Sequence, residues 1–114
     1  MVVETMNGTQ ADRVFHALAD GTRRSIVTRV ILREQSVSAL AQQYSMSFAA
    51  VQKHVAVLEG ASLVTKQRRG REQIVRGNVD TLRRTTRLLS AYEDLWMRRA
   101  EGIEEILAEA RDEE

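Results

Sequence analysis

The spacing of apolar positions divides the chain into four helical stretches, a short run of shorter period, and a long helical tail. Val14, Phe15 and Leu18 share one face of a predicted helix from Gln10 to Ala19. Asp20-Gly21 interrupts it, Thr22 stands where the next N-cap belongs, and Ile26, Val27, Val30 and Ile31 recur at helical spacing to Leu32. Ser36 or Ser38 can cap a short third helix to Tyr44, with Val37, Leu40 and Ala41 inward. Ser45-Met46-Ser47 reads as a turn. Ser47 then caps a fourth helix to Glu59 that buries Val51, Val55 and Leu58, with Gly60 as a left-handed stop. The period shortens at Leu63 to Arg68 and Glu72 to Arg76, two strand-like runs around Arg69-Gly70-Arg71, which predicts a hairpin.

From Asp80 to Arg111 the helical pattern returns and persists. Leu82, Leu89, Tyr92, Trp96, Ile103, Ile106 and Ala110 follow alternating steps of three and four, with Thr85 and Arg99 completing the series. Such a stripe describes a seam against another helix. A helix of roughly 30 residues runs about 45 Å, too long to lie wholly against so small a core. Pairing with its copy in a second subunit is the expected solution, with Leu82, Leu89, Tyr92, Trp96, Ile103 and Ile106 in the dimer interface and the first helices assisting.

Composition narrows the function. The 114 residues allow one domain, 1–114, divided into a core at 10–78 and a dimerisation helix at 79–112. The absence of proline and the 4% aromatic content favour a mainly α fold with a small β-hairpin. There is no cysteine, which removes disulfides, thiolate metal sites and cysteine nucleophiles together. Apolar runs are too short for a membrane span and the N-terminus does not read as a secretory signal, so a cytoplasmic protein with no membrane partner is expected.

The net charge of +1 hides a division. Residues 1–46 carry five basic and four acidic side chains. Residues 47–78 carry six basic against two acidic, and residues 79–114 six basic against ten acidic. The middle third is a concentrated basic block.

Helix, three-residue turn, helix, then basic hairpin is the order of a winged helix-turn-helix. The major groove of DNA, about 12 Å wide, admits one helix. Small or polar side chains at that helix's N-terminal end would meet the bases. Here that outward set is Ser47, Phe48, Ala49, Gln52, Lys53 and Ala56. Gln52 suits adenine or a phosphate, Lys53 guanine or a phosphate, and Phe48 and Ala49 thymine methyls. His54 lies in the same segment and is assigned a phosphate or structural role. Lys66, Arg68, Arg69 and Arg71 would grip the flanking backbone from the wing.

The motifs in this order resemble the ArsR-type family of small dimeric winged-helix repressors. Ala17-Leu18-Ala19-Asp20-Gly21-Thr22-Arg23-Arg24 is similar to the family's "LADPTRR" entry to the second helix. Met46-Ser47-Phe48-Ala49-Ala50-Val51-Gln52-Lys53-His54-Val55-Ala56-Val57-Leu58 resembles its recognition segment. Val37-Ser38-Ala39-Leu40-Ala41, Ala61-Ser62-Leu63-Val64 and Arg69-Gly70-Arg71-Glu72 fall in the matching places between and after. The resemblance implies a homodimeric, sequence-specific DNA-binding regulator, a repressor, on an inverted-repeat site.

Gly21 stands where the family has proline. Ser36-Val37-Ser38 occupies the place of the metal-sensing Cys-x-Cys, and the final helix has no histidine, so the resemblance is to the metal-independent branch with no metal and no cofactor.

Other chemistries find little footing. Two histidines are too few for a zinc site, His16 reads as a core or interface residue, and no phosphate-binding glycine loop or nucleophile–base arrangement is present, so no enzyme is expected. The acids of the tail read as a solvated face. An unknown effector between the final helices, or control by abundance alone, fits the sequence equally well. A second class, a protein-interaction module on a winged-helix scaffold, would leave the basic block without a use.

Overall fold

The computed structural model describes residues 6–112. Within these described residues, five helices and three strands follow one another as α1 (Gly8–Leu18), α2 (Gly21–Leu32), β1 (Gln35–Ser36), α3 (Val37–Ala41), α4 (Phe48–Gly60), β2 (Val64–Arg69), β3 (Glu72–Gly77) and α5 (Val79–Asp112).

Short polar side chains set the helix starts. The Asn7 amide oxygen accepts from the Gln10 N–H at 2.8 Å, starting α1 two residues earlier than the apolar pattern predicts. Asp20, not Thr22, caps α2, its carboxylate accepting from the Arg23 N–H at 2.9 Å. Both satisfy an N–H that the first helical turn leaves unpaired. Ser36 and Ser47 cap α3 and α4 in the same way.

The end of α4 differs from expectation. Gly60 remains helical, and the left-handed residue is Ser62, at φ 59°. The Ser62 N–H donates to the Glu59 carbonyl at 2.9 Å and the Leu63 N–H to that of Leu58 at 3.0 Å. This is a Schellman cap, and its apolar partners Leu58 and Leu63 are both fully buried. The Thr81 hydroxyl donates to the Ser62 carbonyl at 2.6 Å, tying that corner to the start of α5. Tertiary contact thus holds a serine where local preference favours glycine.

The wing is larger than a hairpin. β2 and β3 pair antiparallel from Val64↔Gly77 to Arg69↔Glu72, and the short β1 adds to the other edge of β3 to give the order β1-β3-β2. Two residues are too few for periodicity to reveal β1. Gly70 takes the left-handed conformation (φ 66°) that the two-residue turn requires.

Ile26, Leu40, Val51, Val55, Leu58, Leu63, Val64 and Val75 form the centre of the core, with Val14 and Ala17 of α1 against them. Each fully buried aliphatic side chain contributes about 1.5–3 kcal/mol of transfer free energy. Phe15 and His16 lie outside this core, both exposed on α1. Ile31, at the end of α2, is exposed as well.

Helix α5 leaves this core behind. Thr81 and Thr85 are buried and Leu82 packs on the protomer's own core. Leu82 remains half-buried there. From Leu89 onward the apolar stripe stands in the open, and the molecule measures 75 × 30 × 23 Å.

Candidate nucleic-acid interface

Helix α4 presents two unlike faces. Val51, Val55 and Leu58 anchor it in the core, while Ser47, Phe48, Ala49, Gln52, Lys53 and Ala56 are exposed. The Ser47 hydroxyl oxygen accepts from the Ala50 N–H at 3.1 Å, which leaves its own O–H able to donate outward. Phe48, Ala49, Gln52 and Lys53 line one side of an open groove of about 550 Å³. Lys66 and Arg71 of the wing line the other. Ser38 and Gln73 also border the groove, and sequence reading missed both, since α3 and β3 reach it only through folding.

The wing cations are not equivalent. Lys66 Nζ lies 3.4 Å from Glu59, and Arg69 and Arg76 lie 3.6 and 3.0 Å from the two oxygens of Glu34. Exposed pairs of this kind contribute little and can be exchanged for phosphate contacts. Arg68 donates to the Gly70 carbonyl at 3.2 Å, bracing the turn that carries Arg71. Among the described residues, no carboxylate forms an ion pair with Lys53, Arg68 or Arg71. The structure therefore sets Gln52, Lys53, Lys66 and Arg71 around one concavity, with Arg68 and Arg69 at the wing's end.

His54 does not join that set. Its Nδ1 lies 3.4 Å from Arg23 Nη1 and 4.0 Å from the Asp20 carboxylate, on the side of α4 turned toward the α1–α2 corner. The hydrogen bond from the Arg23 N–H holds the Asp20 carboxyl below its usual range. Desolvation opposes this, and the nearby charge of Arg23 reinforces it. Asp20 and His54 are 34 positions apart in the chain, and no local pattern announces their meeting.

Comparison with known proteins puts this geometry in context. Among curated relatives, the HTH-type transcriptional regulator Rv2034 of Mycobacterium tuberculosis is 41% identical over 63 residues, 55% of this chain and 59% of that one. The match therefore spans less than two thirds of that regulator. The uncharacterized HTH-type transcriptional regulator YuzN of Bacillus subtilis is 35% identical over 85 residues, 68% of this chain and 91% of that one. Among solved structures, an ArsR-like transcriptional regulator from Rhodococcus sp. RHA1 superposes with a TM-score of 0.78 at 35% identity, covering 86% of this chain and 92% of that one. The homodimeric winged helix-turn-helix DNA-binding domain of Mb0332 from Mycobacterium bovis gives a TM-score of 0.62 at 26% identity, over 82% and 91% of the two chains. No protein-family model matches.

The chain belongs to the ArsR-like family of winged-helix transcriptional regulators.

In this ArsR-like chain, Ser36 has a structural use. The Ser36 hydroxyl accepts from the Ala39 N–H at 3.0 Å as the cap of α3. Among the described residues, no three His, Cys, Asp or Glu side chains gather closely enough to hold a metal ion. No described helix is long and apolar enough to cross a membrane.

Proposed function

We propose that the protein is a cytoplasmic homodimeric repressor that binds an inverted repeat in double-stranded DNA. Residues 10–78 form the reading unit and 79–112 the dimerisation helix. Helix α4 enters the major groove by its N-terminal half, with Ser47 and the helix start on a phosphate and Phe48, Ala49, Gln52 and Lys53 at base edges. Lys66, Arg68, Arg69 and Arg71 hold the neighbouring backbone. The stripe Leu82, Leu89, Tyr92, Trp96, Ile103 and Ile106 pairs with its copy and sets the two α4 helices about 34 Å apart, one turn of B-DNA. The homodimeric Mb0332 domain supports this assembly. An effector that prefers one crossing of the paired α5 helices would switch the regulator. Catalysis has no part in this reading.

The observation that carries the proposal is the groove shared by the outward face of α4 and the basic wing. Selection of binding sites from random duplexes, followed by titration over a range of salt, tests it. The expected result is a two-fold symmetric site bound by a dimer, with log affinity falling steeply with log salt. Indifference to all duplexes at low ionic strength overturns it.

A further inference from the structure

Arg23 is in the wrong place by local rules. It occupies the third position of α2, in the first turn, where the helix dipole disfavours a cation. Its side chain turns away from α2 to the end of α1. There Nε donates to the Ala17 carbonyl at 2.8 Å and Nη2 to the His16 carbonyl at 3.0 Å. Arg24 takes the next carbonyl, Leu18, at 2.7 Å. These carbonyls lie in the last turn of α1, at the negative end of its dipole, and that of His16 also accepts from the Ala19 N–H at 3.3 Å. The remaining arm, Nη1, lies 3.4 Å from His54 Nδ1 on α4. A guanidinium can only donate, so in this contact Nδ1 is the acceptor and the ring carries its N–H at Nε2. From its place in the first turn of α2, one planar group thus touches the end of α1 and the middle of α4, and its fork makes both directions available at once.

We infer that Arg23 is a positioning residue, which locks helix α4 to the end of α1 through His54 and so fixes the angle at which the exposed face of α4 is presented. The inference rests on α4 reading DNA as proposed above. Three of the five N–H groups of Arg23 are engaged inside the protein, which fits a role in placing α4 more than one in holding phosphate. Its effect falls on discrimination between sequences and not on attraction to phosphate.

The test uses the full chain with Arg23→Lys, Arg23→Gln and His54→Gln, and two independent readouts. The first is the ring-nitrogen NMR spectrum of His54, distinguishable because the chain has two histidines. The wild type should show the Nε2–H tautomer at His54, and Arg23→Gln should average the two tautomers. The second is affinity for a selected site and for a scrambled duplex. Arg23→Lys and Arg23→Gln should each lower the ratio of the two affinities on the order of tenfold. Binding to the scrambled duplex should stay within about twofold. Arg23→Gln should add little to His54→Gln, since both break the same link. Equal losses on both duplexes, or an unchanged ratio, would overturn the inference. If no duplex binds the wild type, the reading of α4 fails. The lock between α1 and α4 then stands or falls on the tautomer alone.

Discussion

The winged domain and the distal half of α5 share one sequence grammar and reach opposite ends. In both, apolar residues recur at steps of three and four. In the domain those positions are sealed, with Ile26, Leu40, Val51 and Leu58 fully buried. Along α5, Thr81 is fully buried while Trp96, fifteen residues on, is 67% exposed. The helix does not change character between them. What changes is whether other elements of the same chain stand beside it, because the winged domain is too small to follow a helix of 34 residues. An apolar stripe of this length left in water is a cost that association with a second copy removes. The polarity of the remaining face, rich in Glu and Arg, keeps the helix itself soluble.

The difference can be broken from either side. Trp96→Asp with Ile103→Asp should give the largest effect. The protein should sediment as a monomer, and affinity for a two-fold site should fall at least about 100-fold, since each half-site then binds alone. Unfolding of the winged domain at high dilution should hardly change. Leu58→Ala attacks the other region and should cost about 2–5 kcal/mol in denaturant unfolding, at every protein concentration. If Leu58→Ala and the α5 double variant showed the same concentration dependence, the two regions would not be separable.

The basic face gives a medium effect. For about eight to ten phosphate contacts per dimer, log affinity against log salt should slope near −7 to −9. Arg71→Ala removes one contact per subunit and should flatten the slope by about two, with similar losses on all sequences. Gln52→Ala should instead relax base preference, at a cost of about 1–3 kcal/mol if it meets a base edge.

Acid should act on the domain through Asp20. Its pKa is lowered in the folded chain, so its contribution is present above the unfolded carboxyl pKa of about 4 and is lost as pH falls toward the folded value. Asp20→Asn keeps a capping oxygen and should make the acid limb of a stability–pH curve shallower. The smallest expected change is at Ser62. Replacement by glycine relieves a left-handed side chain and should raise stability by about 0.5 kcal/mol, after the entropy that glycine adds to the unfolded chain.

Much of this architecture was legible in the chain because its signals are local. The caps Ser36 and Ser47 and the inward triad Val51, Val55 and Leu58 follow from spacing within a few residues. The hairpin follows from Gly70 between two short extended runs. Three features lay outside such reading. β1 exists because Gln35 and Ser36 meet Val75 and Ile74, a pairing across about forty residues. The stop of α4 moved from Gly60 to Ser62 because Leu58, Leu63 and Thr81 hold that corner. His54, grouped by its neighbours with the reading residues, faces Arg23 and Asp20 instead.

By itself the sequence determined which segments are helical or extended, which face of each is apolar, and where basic side chains concentrate. Those properties depend on residues close along the chain and on the fixed repeat of helix and strand. Only tertiary structure decided which cations flank the groove, which are drawn off to Glu34 and Glu59, and which arginine is consumed in joining helices. Distances of three to four ångströms between side chains dozens of positions apart depend on how rigid elements pack, and no periodicity within one element encodes them.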